Sequence, residues 1–313
     1  MTYLITGGAG FIGSHLADAL LATGHRVRVL DDFSTGKPEN LDPRCEVIRA
    51  DVRDAGAVRR AMSGTDGCFH LAAIASVARA NEEWVGTHAV NLGATVSVLE
   101  TARAMGGLPV VYASSAAVYG ALEGVAREDG MPAPMTAYGA DKLGCELHAR
   151  VGAMVHGIPS VGFRFFNVYG PRQDPASPYS GVISIFADAV AAGRPITLHG
   201  DGAQTRDFVF VRDVVAHLTA GMHYCAGTAG AHVLNVCTGQ ETSILDLARL
   251  LGDINGRTPV IRRGPSRAGD IGRSVGSPER ARAVLGIQAG VTLRDGLQET
   301  AVALAGRHVA VRA

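Results

Sequence analysis

Tyr138 and Lys142 stand four residues apart in the stretch MTAYGADKLGCELHAR. On a helix that spacing puts a phenol and an ammonium on one face, one turn apart, where both can act on one bound molecule. A cation ~5 Å from a phenol, at an effective dielectric of ~20, favours the phenolate by ~3 kcal/mol. The pair could therefore take a proton near neutral pH. The spacing alone also fits a core tyrosine beside a solvated lysine, so the surroundings of the pair decide between the two.

A second constellation opens the chain. Gly7, Gly8, Gly10 and Gly13 lie in TYLITGGAGFIGSHL, with Phe11 and Ile12 between them, where an apolar strand runs through a glycine turn into a helix. Glycine allows the tight turn and a close backbone approach, and the helix N-terminus offers unpaired N–H groups to a pyrophosphate. The spacing fits both GxGxxG and GxxGxxG. A second strand, RVRVLDD, ends at Asp31 and Asp32, and Asp31 follows Gly13 by 18 residues. A carboxylate there can accept hydrogen bonds from an adenosine ribose and repels a 2′-phosphate, which favours NAD over NADP. Asp51 and Val52, after the next strand, are expected near the adenine edge, with an ordinary helix cap as the alternative. Leu71, Ala72 and Ala73 of HLAA are expected to line the dinucleotide at a strand end, and His70 to be structural.

These groups need a frame, and the chain supplies a regular one. Strand-like runs alternate with helical patterns from TYLIT through RVRVLDD, CEVIRAD and GCFHLAA to PVVYASS. Alternation of that kind implies right-handed parallel crossovers, hence an α/β fold with a Rossmann-type doubly wound parallel sheet. After about Asn167, prolines and glycines cluster in NVYGPRQDPASPYSGV and the alternation becomes irregular. Residues 1–167 thus read as an NAD-binding domain and 168–313 as a smaller C-terminal α/β substrate-binding lobe, with part of about 207–235 packing back on the first. The tail VALAGRHVAVRA reads as a final helix with a frayed end.

Composition limits the partners. The chain has 313 residues, 47% of them hydrophobic, and 29 basic residues against 29 acidic ones. No overall field draws it to nucleic acid or a membrane surface. Its five cysteines, Cys45, Cys68, Cys145, Cys225 and Cys237, form no CxxC pair and suit reduced thiols; no metal site is expected. There is no signal-like segment and no apolar run of membrane length, so the expected location is the cytoplasm.

Together the motifs resemble the extended short-chain dehydrogenase/reductases, and within them the UDP-glucose 4-epimerase branch of sugar-nucleotide epimerases. TGGAGFIGSH, HLAA, SSAAVYG, YGADK, RFFNVYGPRQDP, GDGAQTRDFVFVRDV and RAGD occur in the order typical of that family and cover nearly the whole chain. The resemblance implies that Tyr138 is the catalytic base and that Lys142 holds the nicotinamide ribose while activating it. It implies that Ser115 hydrogen-bonds the sugar O4 and relays its proton, with Ser114 beside it; alone, such a serine pair is usually a turn or cap. It further assigns a substrate role to Asn167, a diphosphate grip to Arg206 and Arg267, a uridine-ribose contact to Asp270, and to Ser274 a gate whose small side chain leaves room for an acetamido group. The implied activity is NAD-dependent 4-epimerisation of a UDP-sugar, UDP-glucose or its N-acetylated analogues, through a 4-keto intermediate. A homodimer through the helices at 91–105 and 138–156 is also implied, with Leu143, Leu147, Val151 and Met154 as its stripe; such a stripe equally marks a core-facing side.

Three competing readings follow. Related 4,6-dehydratases carry an Asp-Glu pair where this chain has Ala116 and Ala117, which disfavours water elimination. A UDP-glucuronic acid 4-epimerase would use the same trio but needs a cation for the C6 carboxylate. Asp174, after GPRQ, disfavours it, although Arg79, Arg172 or Arg194 could serve. A non-catalytic NAD-binding sensor would be expected to lack the tyrosine, lysine or serine.

Overall fold

The structure is a computed structural model that describes residues 1–175, 181–266 and 271–310, the last six of these by backbone alone. Its centre is a seven-stranded sheet in which every neighbouring pair is parallel. The first six strands in the chain are β1 (Thr2–Thr6), β2 (Arg26–Asp31), β3 (Glu46–Arg49), β4 (Gly67–His70), β5 (Val110–Ser115) and β6 (Ser160–Phe165). With the strand Ala231–Val236 at one edge, the spatial order runs 231–236, β6, β5, β4, β1, β2, β3. The order reverses between β1 and β4, so the crevice beyond their carboxyl ends is where a dinucleotide is held in such sheets.

Burial on both faces explains why these strands read as continuous apolar runs. In β1, Ile5 packs with Leu16, Val29, Phe69 and Phe163 on one side, while Leu4 packs with Leu30, Val58, Met62 and Val98 on the other. The helices Phe11–Ala22 and Val211–Gly227 cover the first side, Ala55–Met62 and Ala94–Ala104 the second. A separate core of Ile183, Phe186, Leu198, Phe210, Leu247, Leu251 and Leu297 holds the C-terminal elements together. There Ile196–His199 pairs with Ile261–Gly264, and Thr205–Arg206 is flanked by Thr242–Ser243 and Arg273–Ser274.

Two helices differ from the sequence reading. The final helix starts at Leu293, well before VALAG, because Leu293 and Leu297 anchor its earlier turns in the C-terminal core. The helix expected from Asn91 is preceded by helical turns from Trp84, joined to it by a wide turn over Ala89–Gly93. All five cysteines are free and buried, and among the described residues no helix is long and apolar enough to cross a membrane.

His70 ends β4 in full burial, with Nδ1 2.7 Å from Thr6 Oγ1 and Nε2 3.1 Å from Thr95 Oγ1. Burial, helped by the Lys142 charge, pushes its pKa down to about 3; burial also lowers that of His217. The unfolded chain then takes up protons near pH ~6.5 that the folded chain refuses, so this contribution is complete above that pH and is lost as pH falls toward the folded value. Stability should decline on acidification by at most ~1.4 kcal/mol per pH unit for each such histidine. His70→Gln should flatten the slope of unfolding free energy between pH 6 and about 4, measured in denaturant; equal slopes would rule out this contribution.

Candidate active site

At the end of β1 the backbone turns through Gly7, whose φ of +70° favours glycine. A Cβ there would lie 2.7 Å from the backbone nitrogen of Ala72, and one at Gly13 would run into the Gly7 carbonyl. The cradle is therefore closed to any side chain. Gly10 caps the helix Phe11–Ala22 without a side-chain hydrogen bond, leaving the leading N–H groups of Phe11, Ile12 and Gly13 for an anion.

Asp31 ends β2 and is buried. Its carboxylate accepts hydrogen bonds from Ala9 N at 2.9 Å and Phe33 N at 2.8 Å. Burial raises its pKa, and the two N–H donors oppose that shift. A Cβ on Gly36 would come within 2.9 Å of its Oδ1, so the space beside the acid depends on glycine. Asp32 receives the N–H and hydroxyl of Ser34. Leu71 N donates to Thr6 O, and Ala72 N to Thr6 Oγ1, which holds HLAA, including Ala73, beside the glycine turn. Asp51 is paired with Arg53 at 2.5 Å, while Val52 is buried in the core beside Leu30 and Val58. The glycine cradle and buried acid fit the pyrophosphate and ribose of NAD.

Beside the carboxyl ends of β5 and β6 lies a cavity of about 600 Å³ whose wall includes Ser115, Asn167, Arg206 and Ser274. β5 delivers Ser115, whose Oγ accepts Ala117 N at 3.1 Å and so caps the short turn that follows. The helix Ala137–His156 delivers Tyr138 and Lys142. Thr136, on the cavity wall, caps that helix through Gly139 N at 3.0 Å. A Cβ on Gly139 would meet Ala117 O at 2.6 Å, so the helix start presses directly on the serine turn. Lys142 is buried; its Nζ donates to Ala113 O at 2.9 Å and lies 5.8 Å from the centroid of the Tyr138 ring. A cation so placed attracts the ring and attracts a phenolate more strongly.

Ser114 lies elsewhere. It is buried, off the cavity wall, and donates to Glu146 Oε1 at 2.5 Å. Arg206 donates through Nη1 to Thr205 O and Ile271 O. Arg267 and Asp270 lie outside the described residues. The cations considered for a carboxylate are engaged away from the cavity wall. Arg79 pairs with Glu83 at 3.0 Å, Arg172 with Asp18 at 2.7 Å, and Arg194 with Asp188. Asp174 pairs with Lys37 across the lobes at 2.7 Å.

Sequence reasoning passed over two residues here. Asp207 is fully buried and accepts from Thr238 N and Oγ1, Gly239 N and Gly276 N, fastening the strand of Arg206 to the segment carrying Ser274. Burial raises its pKa against those donors. Its only signal was adjacency to Arg206 in the TRDF run. Asn235 has no such neighbour.

Residues 3–237 match the family model described as the NAD dependent epimerase/dehydratase family. The chain belongs to that family. It is 39% identical over 309 residues to a UDP-glucose 4-epimerase of Mycolicibacterium smegmatis, covering 96% of this chain and 97% of the relative. A UDP-N-acetylglucosamine 4-epimerase from Methanobrevibacter ruminantium, solved with UDP-N-acetylmuramic acid, superposes with a TM-score of 0.93 at 30% identity, covering 98% of each chain. A UDP-glucuronic acid 4-epimerase from Bacillus cereus, solved with UDP-glucuronic acid and NAD, gives 0.89 at 29% identity, covering 98% of this chain and all of the other. The protein is thus an NAD-dependent epimerase on an extended short-chain dehydrogenase/reductase fold.

Removing the ribose-side acid should relax cofactor choice. Asp31→Ala is expected to narrow the preference for NAD over NADP by about tenfold, ~1.4 kcal/mol, in fluorescence titrations of cofactor-stripped protein. An unchanged ratio would show that Asp31 does not read the ribose.

Proposed function

We propose that the protein interconverts C4 epimers of a UDP-sugar, with UDP-glucose/UDP-galactose and their N-acetylated counterparts as substrates. The observation that carries this reading is the junction of Ser115, on the cavity wall, with a helix start that brings Tyr138 beside the buried Lys142 ammonium. NAD, which the glycine turn, Asp31 and Lys142 would hold, would supply a hydride acceptor and donor for C4. Tyr138 takes the proton of the 4-hydroxyl and later gives it back, while Ser115 hydrogen-bonds O4 and relays that proton. Loss of H⁺ from O4 and H⁻ from C4 leaves a 4-keto sugar; return of H⁻ to the opposite face of C4 and of H⁺ to O4 inverts the centre with no net redox change. Lys142, fixed by Ala113 O, favours the phenolate form of Tyr138 that accepts the proton. Arg206 grips the diphosphate. Around the sugar, Ala116, Ala117, Gly120, Gly124 and Ala126 line the wall, and their small side chains leave the ring free to turn.

The wall also weighs on the alternatives. Ala116 and Ala117 offer no acid or base for water elimination. Arg206 and Arg273 are the lining cations among the described residues, both on the paired strands near Ile271, and Arg79, Arg172 and Arg194 are engaged elsewhere. That arrangement favours a neutral C6 over a uronate. Ser274 lies on the wall, where its small side chain leaves space for an acetamido group.

Purified protein given UDP-glucose, UDP-GlcNAc and UDP-glucuronate without added NAD should epimerise the first two by NMR and leave the third. Turnover of the uronate alone would reverse the assignment. Tyr138→Phe should lower turnover by ~10²–10⁴-fold while keeping NAD and UDP affinity; retained activity would remove Tyr138 as the base.

A homodimer forms part of the same proposal. Leu147, Val151, Met154 and Val155 are exposed along the helix Ala137–His156, with Val96 exposed on Ala94–Ala104 and Leu143 turned into a buried cluster. Covering that stripe favours association. Leu147→Glu combined with Val151→Glu should shift sedimentation from dimer to monomer, and a monomeric parent protein would refute the interface.

A further inference from the structure

A chain of buried polar side chains runs behind the cavity wall, reaching it at Tyr119, and has no role in the chemistry above. Ser114, on β5, donates to Glu146 Oε1 at 2.5 Å. Glu146, one turn past Lys142 on the same helix, is held by Arg164 of β6 in a two-point ion pair, Nε to Oε1 at 2.9 Å and Nη2 to Oε2 at 2.7 Å. The Arg164 guanidinium lies 4.7 Å from the centroid of the Tyr119 ring, and the Tyr119 hydroxyl donates to Asn235 Oδ1 at 2.7 Å. Asn235 then donates through Nδ2 to Ala126 O at 3.0 Å and Ser277 O at 3.4 Å, and its backbone N–H is received by Glu128 Oε1 at 2.7 Å. All five side chains are buried.

The ends of this chain matter more than its middle. One end is the residue before Ser115 and the helix that carries Tyr138. The other is the bridge between Ala126 and Gly276, next to Ser274 and Val275 on the cavity wall. Burial alone would lower the affinity of Arg164 for its proton; the Glu146 carboxylate outweighs this and holds it above its ordinary range. Burial pushes the Tyr119 hydroxyl up to about 12, so it stays a donor at neutral pH. Buried ion pairs are poor sources of stability compared with apolar groups of similar volume, but their hydrogen bonds fix direction as apolar packing does not.

We propose that Ser114, Glu146, Arg164, Tyr119 and Asn235 are positioning residues that hold Ser115 and Tyr138 at a fixed distance from the wall of Ala126, Ser274 and Val275 facing the sugar. This rests on the assignment of the cavity to the sugar and of Tyr138 as the base. Its effect belongs to the chemical step rather than to nucleotide binding.

The test compares Glu146→Leu/Arg164→Met, an apolar pair of similar volume, with Tyr119→Phe. Both are assayed on UDP-galactose and UDP-GalNAc per NAD-loaded subunit, with UDP affinity measured by calorimetry. The double variant should keep NAD and UDP affinity within about twofold while kcat falls by ~10²-fold, the scale of an ångström misplacement. Tyr119→Phe should lose several-fold in kcat alone but nothing further in the double-variant background, because the residues act as one unit. A kcat within about twofold of the parent in both variants, or losses that multiply independently, would overturn the proposal. If the double variant does not fold, Tyr119→Phe decides alone. Tyr138→Phe in the same assay keeps the readings apart: if it is inactive while the network variants match the parent, only the positioning role fails.

Discussion

A single buried charge organises this molecule. The Lys142 ammonium is nearly inaccessible to water and finds one carbonyl, Ala113 O, at 2.9 Å. An unpaired ammonium in such a place costs several kcal/mol, so helix and strand must stay close enough for that contact. Close approach is what makes residue 139 a glycine against the Ala117 carbonyl, and it sets the start of the helix against the serine turn. The same charge reaches His70 at the end of β4, where it adds to the burial that keeps that histidine neutral. Tyr138 needs no contact of its own to be placed; it inherits its position from Lys142.

Buried acceptors, together with Ile12 and Val168 shared between the two cores, fasten the C-terminal elements to this centre. Asp207 gathers three backbone N–H groups and one hydroxyl, and the strand Phe208–Phe210 pairs with Asn167–Tyr169 immediately after β6. Asn167, Arg206 and Ser274 therefore reach the cavity from segments pinned within a few residues of the central sheet. Lys37 and Asp174 add a further tie at the nucleotide end.

Most of the frame was legible in the sequence because it rests on local, repeating signals. The glycine turn, the acid ending β2 and the strand-helix alternation each occupy one short window, and the parallel sheet follows from their order. The final helix was read short because its first turns are amphipathic only against the C-terminal core. Arg206, Asn167, Ser115 and Ser274 lie on one wall, and Val52 is buried beside Leu30 and Val58. Asp207, Asn235 and Glu146 left little trace, because their partners lie between 18 and 116 residues away along the chain. Such contacts have no period; their only mark is a polar residue in an otherwise apolar stretch.

Ser114 and Ser115 divide between them two unrelated places, one anchoring an ion pair and the other lining the cavity. Their separation is the alternation of a strand and nothing else: in the sheet register Ser114 stands opposite Arg164 and Ser115 opposite Phe165. β5 lies between β4 and β6, so it cannot slide without breaking ladders on both sides. Point substitutions along Val110–Ala113 should thus be graded in their effect. A one-residue insertion or deletion there would exchange the two positions outright, turning the cavity-lining hydroxyl inward and the anchor outward. For this segment, chain length matters more to the arrangement than side-chain identity.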